Sequence, residues 1–348
     1  MKLQRILILT LEKLNSKIMS YTIIRPKDRN EWLKHRESGI GSSEVGTILG
    51  LNPFETPYQL WRRKKGLDAP KQENFAMRAG HYLEDAVSLF YRDETGKEII
   101  KSSAGDWLIV NNEKQYLRVS PDRTFWIPGR PKSEHNKGIL ECKTTQMEID
   151  SDSLPQHWFC QLQYQLGVAE LEQGALAWLT MGRQFGFKDI MFDKEFYNWM
   201  IEEVDKFWTD NILGNQEPLL SNVDDVILKN PRHTTGKSVE ADEALMNLCS
   251  ELKTLKDELG SLESRKKEIE NEIKMALGDA ESLVAPGISK AKPTILATWK
   301  ASKDAVKFNE KKFAADHPEL YANYQYQVPG LRRFLLKRWK RIYTEASA

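Results

Sequence analysis

Cysteine is scarce in this chain of 348 residues: Cys142, Cys160 and Cys249 form an odd set without metal-type spacing. That excludes a disulfide scaffold and a cysteine-bound zinc centre, and it fits a reduced, cytoplasmic setting. Long hydrophobic runs are missing as well. None approaches the ~20 residues that span a bilayer, and the run Ile6 to Leu9 meets Glu12 and Lys13 too soon to serve as a secretory signal. Net charge is nearly absent, since 51 Lys and Arg against 50 Asp and Glu leave +1. No global field announces a polyanion, so any nucleic-acid surface has to be local. Internal repeats and low-complexity tracts are lacking too. What the chain does have is 40% hydrophobic residues, enough to bury a core, and a length that suits one sizeable domain plus a smaller appendage, or two domains.

The chemistry concentrates between Tyr116 and Lys143. Tyr116-Leu-Arg-Val-Ser-Pro-Asp122 is followed, 19 positions after Asp122, by the Glu141 of Ile139-Leu-Glu141-Cys-Lys143. The result is a Pro-Asp, a gap, and a Glu-x-Lys in apolar, strand-like surroundings. Strand side chains alternate faces, so Glu141 and Lys143 point one way while Leu140 and Cys142 point into the core. Glu-x-Lys also begins at Glu251, Glu272 and Glu310, but those copies lack the strand context and the upstream Pro-Asp. Hydrolysing a phosphodiester needs a nucleophile at neutral pH and relief of charge on the phosphoryl group, and hard divalent ions held by carboxylates supply both. Asp122 and Glu141 are the expected ligands, with Mg²⁺ the expected ion and Mn²⁺ a substitute. Lys143 is a compact donor that can orient the attacking water or offset charge in the transition state.

Around this centre the pattern alternates between helix and strand. From Arg29 it predicts a helix, a Gly/Ser turn and a second helix with Ser42 or Ser43 as N-cap. Met77 to Glu94 reads as a helix with Leu83, Val87, Phe90 and Tyr91 on one stripe, Glu84 beside it and Gly96 as its stop. Short alternating runs from about Ile99 to Leu140 predict antiparallel strands. A helix over Gln156 to Val168 follows, with His157, Gln161 and Tyr164 on a polar face, and then a strand over Gly174 to Thr180, giving a strand-helix-strand crossover. Two basic clusters are candidate nucleic-acid surfaces or ordinary solvated faces: Arg62-Arg-Lys-Lys65, and Arg332, Arg333, Lys337, Arg338, Lys340 and Arg341 with Phe334 and Trp339 interleaved.

Beyond Pro218 the character changes. Leucines and isoleucines from Leu245 to Ile273 follow a 3,4 alternation broken at Lys266, which predicts a long helix ended by Pro286-Gly287. Ile295, Ala297 and Trp299 alternate as a strand, with Arg333 to Lys337 as its hairpin partner. The division expected is an N-terminal extension over 1–28, a nuclease core over 29–225, a heptad-patterned helical segment over 226–286 and a basic strand or hairpin region over 287–348.

Five separated blocks, HRESGIGSSEVGTILGLNPF, MRAGHYLEDAVSLFYRDETG, LRVSPDRTFW, GILECKTT and HWFCQLQYQLGVAELEQGALAWL, stand in matching order and spacing to one family. Over about residues 29 to 200 the chain resembles the YqaJ-like viral recombinases, PD-(D/E)xK nucleases whose best-known relative is lambda exonuclease. The resemblance implies a restriction-endonuclease-like α/β core, a mixed central sheet flanked by helices. It implies Mg²⁺-dependent, 5′-to-3′ digestion of linear double-stranded DNA in a bacterial or phage-infected cell, leaving a 3′ single strand for an annealing protein. By motif position, Asp122 and Glu141 resemble the family's metal ligands, with the Cys142 backbone carbonyl as a further one and Lys143 as the catalytic lysine. Glu84, in Gly80-x-x-x-Glu84, resembles the helix-borne acid that completes the site. Gln161 and Tyr164 resemble its lining helix. Arg36 and Ser43, with Ser42 beside them, match the pair that grips the terminal 5′-phosphate, and Ser120 is a lesser phosphate contact. A trimeric ring is the family's assembly, and the leucine heptads can support, alter or replace it. Two other readings stay open: an endonuclease of restriction or repair type on the same fold, and a non-catalytic DNA-binding scaffold.

Overall fold

The computed structural model describes residues 19–69, 74–100, 107–180, 184–285 and 294–337. It divides into two compact units, Met1–Lys229 and Asn230–Ala348. The first begins with β1 (Tyr21–Ile24) and α1 (Arg29–Glu37), whose N-cap Asp28 accepts from the Glu31 N–H. Then come β2 (Ile40–Gly41), α2 (Ser42–Ile48), α3 (Pro57–Lys64) and α4 (Phe75–Thr95). Short strands β3 (Ile99–Ile100), β4 (Leu108–Asn111), β5 (Leu117–Val119) and β6 (Arg123–Trp126) lead into β7 (Lys137–Thr145). Next, α5 (Gln156–Val168) connects β7 to β8 (Gln173–Thr180). The unit closes with β9 (Gln184–Met191), α6 (Lys194–Lys206) and α7 (Val223–Lys229).

The strands form two mixed sheets. One runs β3-β6-β7-β8-β9, with β7 and β8 parallel and the other pairs antiparallel. The other runs β1-β4-β5-β2, where β2 and β5 are the parallel pair. This is the mixed α/β architecture the alternating pattern predicts, with α5 as the crossover between parallel neighbours. β1 lies inside the stretch expected as an N-terminal extension, yet it pairs with β4.

Period-two alternation in β7 and β8 explains how the larger sheet is sandwiched. Ile139, Leu176 and Trp178 join Leu162 and Leu166 of α5 in the main core, while Leu140, Ala175 and Ala177 pack with Val87 and Tyr91 of α4 in a smaller one. Each large apolar side chain buried this way contributes about 1.5–3 kcal/mol. The helix α5 differs from the half-polar helix the sequence suggests: Gln161, Gln163, Tyr164 and Gln165 are buried along with its apolar residues. It is covered on one side by α2, which comes close at Gly46, where a Cβ would lie 2.6 Å from His157 Cβ. That close approach brings the start of α2 over the sheet.

In the second unit, α8 (Glu243–Leu277) is capped by Asp242 and stops at Gly278, earlier than the Pro286-Gly287 stop expected, which lies outside the described residues. Leu245, Leu248, Leu255, Leu259 and Leu262 on it are exposed. β10 (Ser282–Val284) pairs antiparallel with β11 (Ile295–Thr298). The hairpin therefore closes locally. Residues 333–337, expected as the partner of β11, form no strand. Two short helices, α9 (Glu310–Asp316) and α10 (Pro318–Asn323), follow. No described helix is long and apolar enough to cross a membrane.

Candidate active site

The central strand of the larger sheet carries the centre. On β7, Glu141 is buried and Lys143 partly so, and the Lys143 ammonium donates to Glu141 Oε1 at 2.7 Å and to Gln161 Oε1 at 2.8 Å. The Gln161 amide donates to the same Glu141 oxygen at 2.5 Å, and Gln165 Nε2 donates to Glu141 Oε2 at 2.8 Å. Gln161 and Gln165 are one helical turn apart on α5, so one face of that helix holds both oxygens of the carboxylate. Gln165 is a site residue the sequence reading passes over, although its i+4 spacing from Gln161 marks it. Tyr164 goes elsewhere: fully buried, its hydroxyl donates to the Ile40 carbonyl at 2.9 Å.

Asp122, at the start of β6, reaches across the strand pair and accepts from the Cys142 backbone N–H at 2.8 Å through Oδ2. Glu84 comes from α4 on the opposite side of the sheet, where its Oε1 is held by Arg123 Nη1 while Arg123 Nη2 holds Asp85 at 2.6 Å. Burial raises the Asp122 carboxyl well above the usual range, and the charges of Glu141 and Glu84 raise it further against Lys143 and the Cys142 N–H. Burial likewise raises Glu84, with Arg123 opposing. For Lys143 burial works against the charge, but Glu141 and Asp122 outweigh it and lift its pKa, so the amine stays protonated at neutral pH.

The donor set fits a hard divalent ion. Asp122 and Glu141 offer carboxylate oxygens whose mutual repulsion a cation would relieve, and the Gln165 Oε1 is buried there without a hydrogen bond. Among the described residues, no three or more His, Cys, Asp or Glu side chains stand close enough to hold a metal by themselves. A divalent ion bound by Asp122 and Glu141 would need the Cys142 carbonyl and water to complete its shell.

These groups form one end of a cavity of about 600 Å³ whose other end is cationic. Arg29, Trp32 and Arg36 of α1, Gly41 to Ser43 at the β2–α2 junction, and Arg118 and Ser120 around β5 line it. Arg36 Nη2 donates to Ser43 Oγ at 2.7 Å, which leaves the Ser43 hydroxyl proton available to a ligand. The Ser120 hydroxyl is already donated to the Trp107 carbonyl at 2.7 Å. Ser42 accepts from Gln165 Nε2 at 3.2 Å and so links the two ends. Gly41, rather than Ser42 or Ser43, is the N-cap of α2, and its N–H donates to Glu44 at 2.9 Å.

Behind that junction lies a buried ion-pair network. Glu44 accepts from Arg63 at 3.0 Å and Lys64 at 2.8 Å. Burial alone would raise the Glu44 carboxyl, but Lys64, Arg63 and Arg36 outweigh it and hold the pKa below the usual range. The basic run Arg62 to Lys65, a candidate nucleic-acid surface by sequence, is thus spent inside the protein: Arg62 pairs with Asp68 and Lys65 donates to the Ile212 carbonyl. In the other basic run, Arg332 donates to the Asn230 carbonyl, and residues 338–341 lie outside the described residues.

The sequence matches the YqaJ-like viral recombinase domain over residues 31–172. That span contains Arg36, Ser43, Glu84, Asp122, Glu141, Lys143 and Gln165. The YqaJ protein of Bacillus subtilis (strain 168) is 31% identical over 264 residues, covering 73% of this chain and 79% of the relative. The chain belongs to the YqaJ-like viral recombinase family. A second relative of this YqaJ-like protein, R354 of Acanthamoeba polyphaga mimivirus, is 24% identical over 159 residues, which make up 41% of this chain and 27% of the relative. Among solved structures, the YqaJ-like chain is similar to an alkaline exonuclease (LHK-Exo) from Laribacter hongkongensis at 17% identity and a TM-score of 0.40, covering 57% of this chain and 96% of that one. A phage-related exonuclease from Haemophilus somnus 129PT is similar at 13% identity and a TM-score of 0.35, covering 51% and 96%.

Proposed function

We propose that this chain is a Mg²⁺-dependent exonuclease that degrades linear double-stranded DNA from its 5′ ends and leaves 3′ single strands for an annealing partner. The observation that carries this reading is the joining of two oppositely charged ends in one cavity: Asp122, Glu141 and Lys143 at one, Arg36 and Ser43 at the other. Asp122 and Glu141, with the Cys142 carbonyl, would hold the ion, and a divalent cation there would lower the pKa of a water and offset charge on the phosphoryl group.

The chain's own residues then divide the work. Lys143, kept protonated by Glu141 and Asp122, acts as a donor and counter-charge toward the scissile phosphate and not as a base. Gln161 and Gln165 hold Glu141 so that its oxygens keep one orientation. Arg36 binds the terminal phosphate with its guanidinium fork, and the Ser43 hydroxyl adds a donor. Anchoring a 5′-phosphate at the cationic end fixes which phosphodiester meets the acidic end, and this supplies the polarity. The family's trimer is the assembly proposed for processive digestion.

The test is a gel assay with Mg²⁺ on linear duplexes carrying 5′-phosphate or 5′-hydroxyl ends, beside closed and nicked circles, with EDTA controls. Metal-dependent loss of the phosphorylated linear duplex, with closed circles intact, is the expected result. Cutting of closed circles would replace the exonuclease with an endonuclease. DNA binding without cleavage would leave a scaffold.

A further inference from the structure

A cation on the β2–β5 pair has no use in the scheme above. Arg118, on β5, is half-buried, and its donors are anchored to backbone: Nη1 to the His35 carbonyl and Nε to the Gln115 carbonyl at 2.9 Å. Among the described residues no carboxylate pairs with it. Burial pulls its pKa down. A desolvated guanidinium without a counter-charge is costly unless a ligand supplies one.

Its placement says which ligand. Arg118 is the register partner of Gly41 across the parallel β2–β5 pair. Its side chain lies over Gly39, where a Cβ would come within 2.7 Å of Arg118 Nε and 2.5 Å of the Tyr116 carbonyl oxygen. Arg36 lies over Gly41, with its Nε 3.6 Å from where a Cβ would be. Two glycines flanking the buried Ile40 thus leave bare backbone under two guanidiniums that line the same cavity. A third donor lies there: Trp32 Nε1 is buried with no hydrogen-bond partner among the described residues, and Arg29 and Arg36 sit 4.2 and 5.2 Å from its ring centroid.

We propose that Arg118 is the second guanidinium of the end-anchoring site, paired with Arg36 across Gly39-Ile40-Gly41, and that the pair selects a terminal phosphate monoester over a 5′-hydroxyl or an internal phosphodiester. The chemistry is a charge count. A phosphate monoester carries up to two negative charges above its second pKa of about 6, whereas a diester carries one and a hydroxyl none. Arg36 alone answers one charge. Arg118, already fixed by two carbonyls, answers the other at little cost in side-chain ordering.

The inference rests on the end-anchoring reading under Proposed function, and one experiment separates the two. Fluorescence anisotropy with Ca²⁺ in place of Mg²⁺ measures binding of 5′-phosphorylated and 5′-hydroxyl duplexes to wild type, Arg36→Met, Arg118→Met and Arg118→Gln. The Gln variant keeps donors for the carbonyls but no charge, and so covers the case in which Met fails to fold. Wild type is expected to favour the 5′-phosphate, and each Arg118 variant to lose about tenfold of that preference while 5′-hydroxyl binding stays within about twofold. The wild-type preference is also expected to shrink as pH falls below about 6. Equal weakening of both ends, or an unchanged preference in the Arg118 variants while Arg36→Met abolishes it, would overturn the Arg118 role and leave the anchor standing. Wild type showing no preference would overturn the anchoring reading itself.

Discussion

The two ends of the cavity carry opposite charge problems. At the acidic end, burial pushes Asp122 toward its neutral form and the charges of Glu141 and Glu84 push it further, with Lys143 and the Cys142 N–H opposing them. At the cationic end, Arg118 is half-buried with no carboxylate paired to it among the described residues, while Glu44 just behind it is overfilled with cations. One end wants a cation and the other an anion. A fold selected for stability alone would pair these groups with each other, since a half-satisfied polar network is worse than none. Keeping them apart in one cavity is what a site for a metal ion and a phosphorylated strand end requires.

The comparison breaks most visibly if Lys143→Ala leaves turnover intact. Removing the ammonium is expected to cut single-turnover cleavage about 10²–10³-fold while duplex binding, followed by anisotropy, changes by less than about threefold. Next in size is a stability effect behind the cationic end. Glu44→Gln strands the buried Lys64 charge and is expected to cost about 3 kcal/mol at pH 7 in urea unfolding. The folded-state pKa of Glu44 lies below its ordinary 4.5, so its contribution is present above that value and lost as pH falls through the folded pKa. The gap between variant and wild type should therefore narrow below about pH 4.5, and a pH-independent gap would contradict the ion-pair account.

A sharper contrast comes from removing one acid. Asp122 has its folded pKa raised above 3.8, so ionising it costs stability once pH rises past the unfolded value. Asp122→Asn is expected to melt higher than wild type in EDTA at neutral pH, and to lose the rise in melting temperature that Mg²⁺ is expected to give wild type. A variant no more stable than wild type in EDTA would show that burying the Asp122 charge beside Glu141 does not destabilise that end. The smallest effect is at Ser120. Its hydroxyl is committed to the Trp107 carbonyl, so Ser120→Ala should change 5′-phosphate preference less than about twofold, read in the same anisotropy assay.

Much of the site is legible in the sequence because strand alternation is a strong rule. Glu141 and Lys143, two apart on β7, had to share a face, and Leu140 had to enter the opposite core. The pairing of Arg36 with Ser43 is implied by the family resemblance, and the structure joins the end of α1 to the start of α2 through their hydrogen bond. Other features depend on pairings no local pattern reveals. β2 has two residues and no periodicity, so its parallel register with β5, which sets Arg118 beside Gly41, emerges only from the assembled sheet. Burial of α5 on nearly all sides could not be read from a helix whose glutamines look like surface residues, and this sent Tyr164 to the Ile40 carbonyl and hid Gln165. The Arg62 to Lys65 run shows the same limit for charge: four basic residues read equally as a polyanion surface or a solvated face, and only the fold shows Asp68, Glu55, Glu44 and the Ile212 carbonyl around them. At the far end of the chain, β10 is a three-residue strand with little alternation, so the longer apolar run near Phe334 looked like the better hairpin partner.

The most direct test of a single cavity that holds a strand end and cuts beside it is the identity of the first product. Mass spectrometry of the nucleotides released in one turnover from a 5′-phosphorylated linear duplex with Mg²⁺ should find 5′-phosphorylated mononucleotides, because in the proposed reading the terminal phosphate and the scissile phosphodiester would both lie in one small cavity. Release of oligonucleotides, or of products with 5′-hydroxyl ends, would contradict the account.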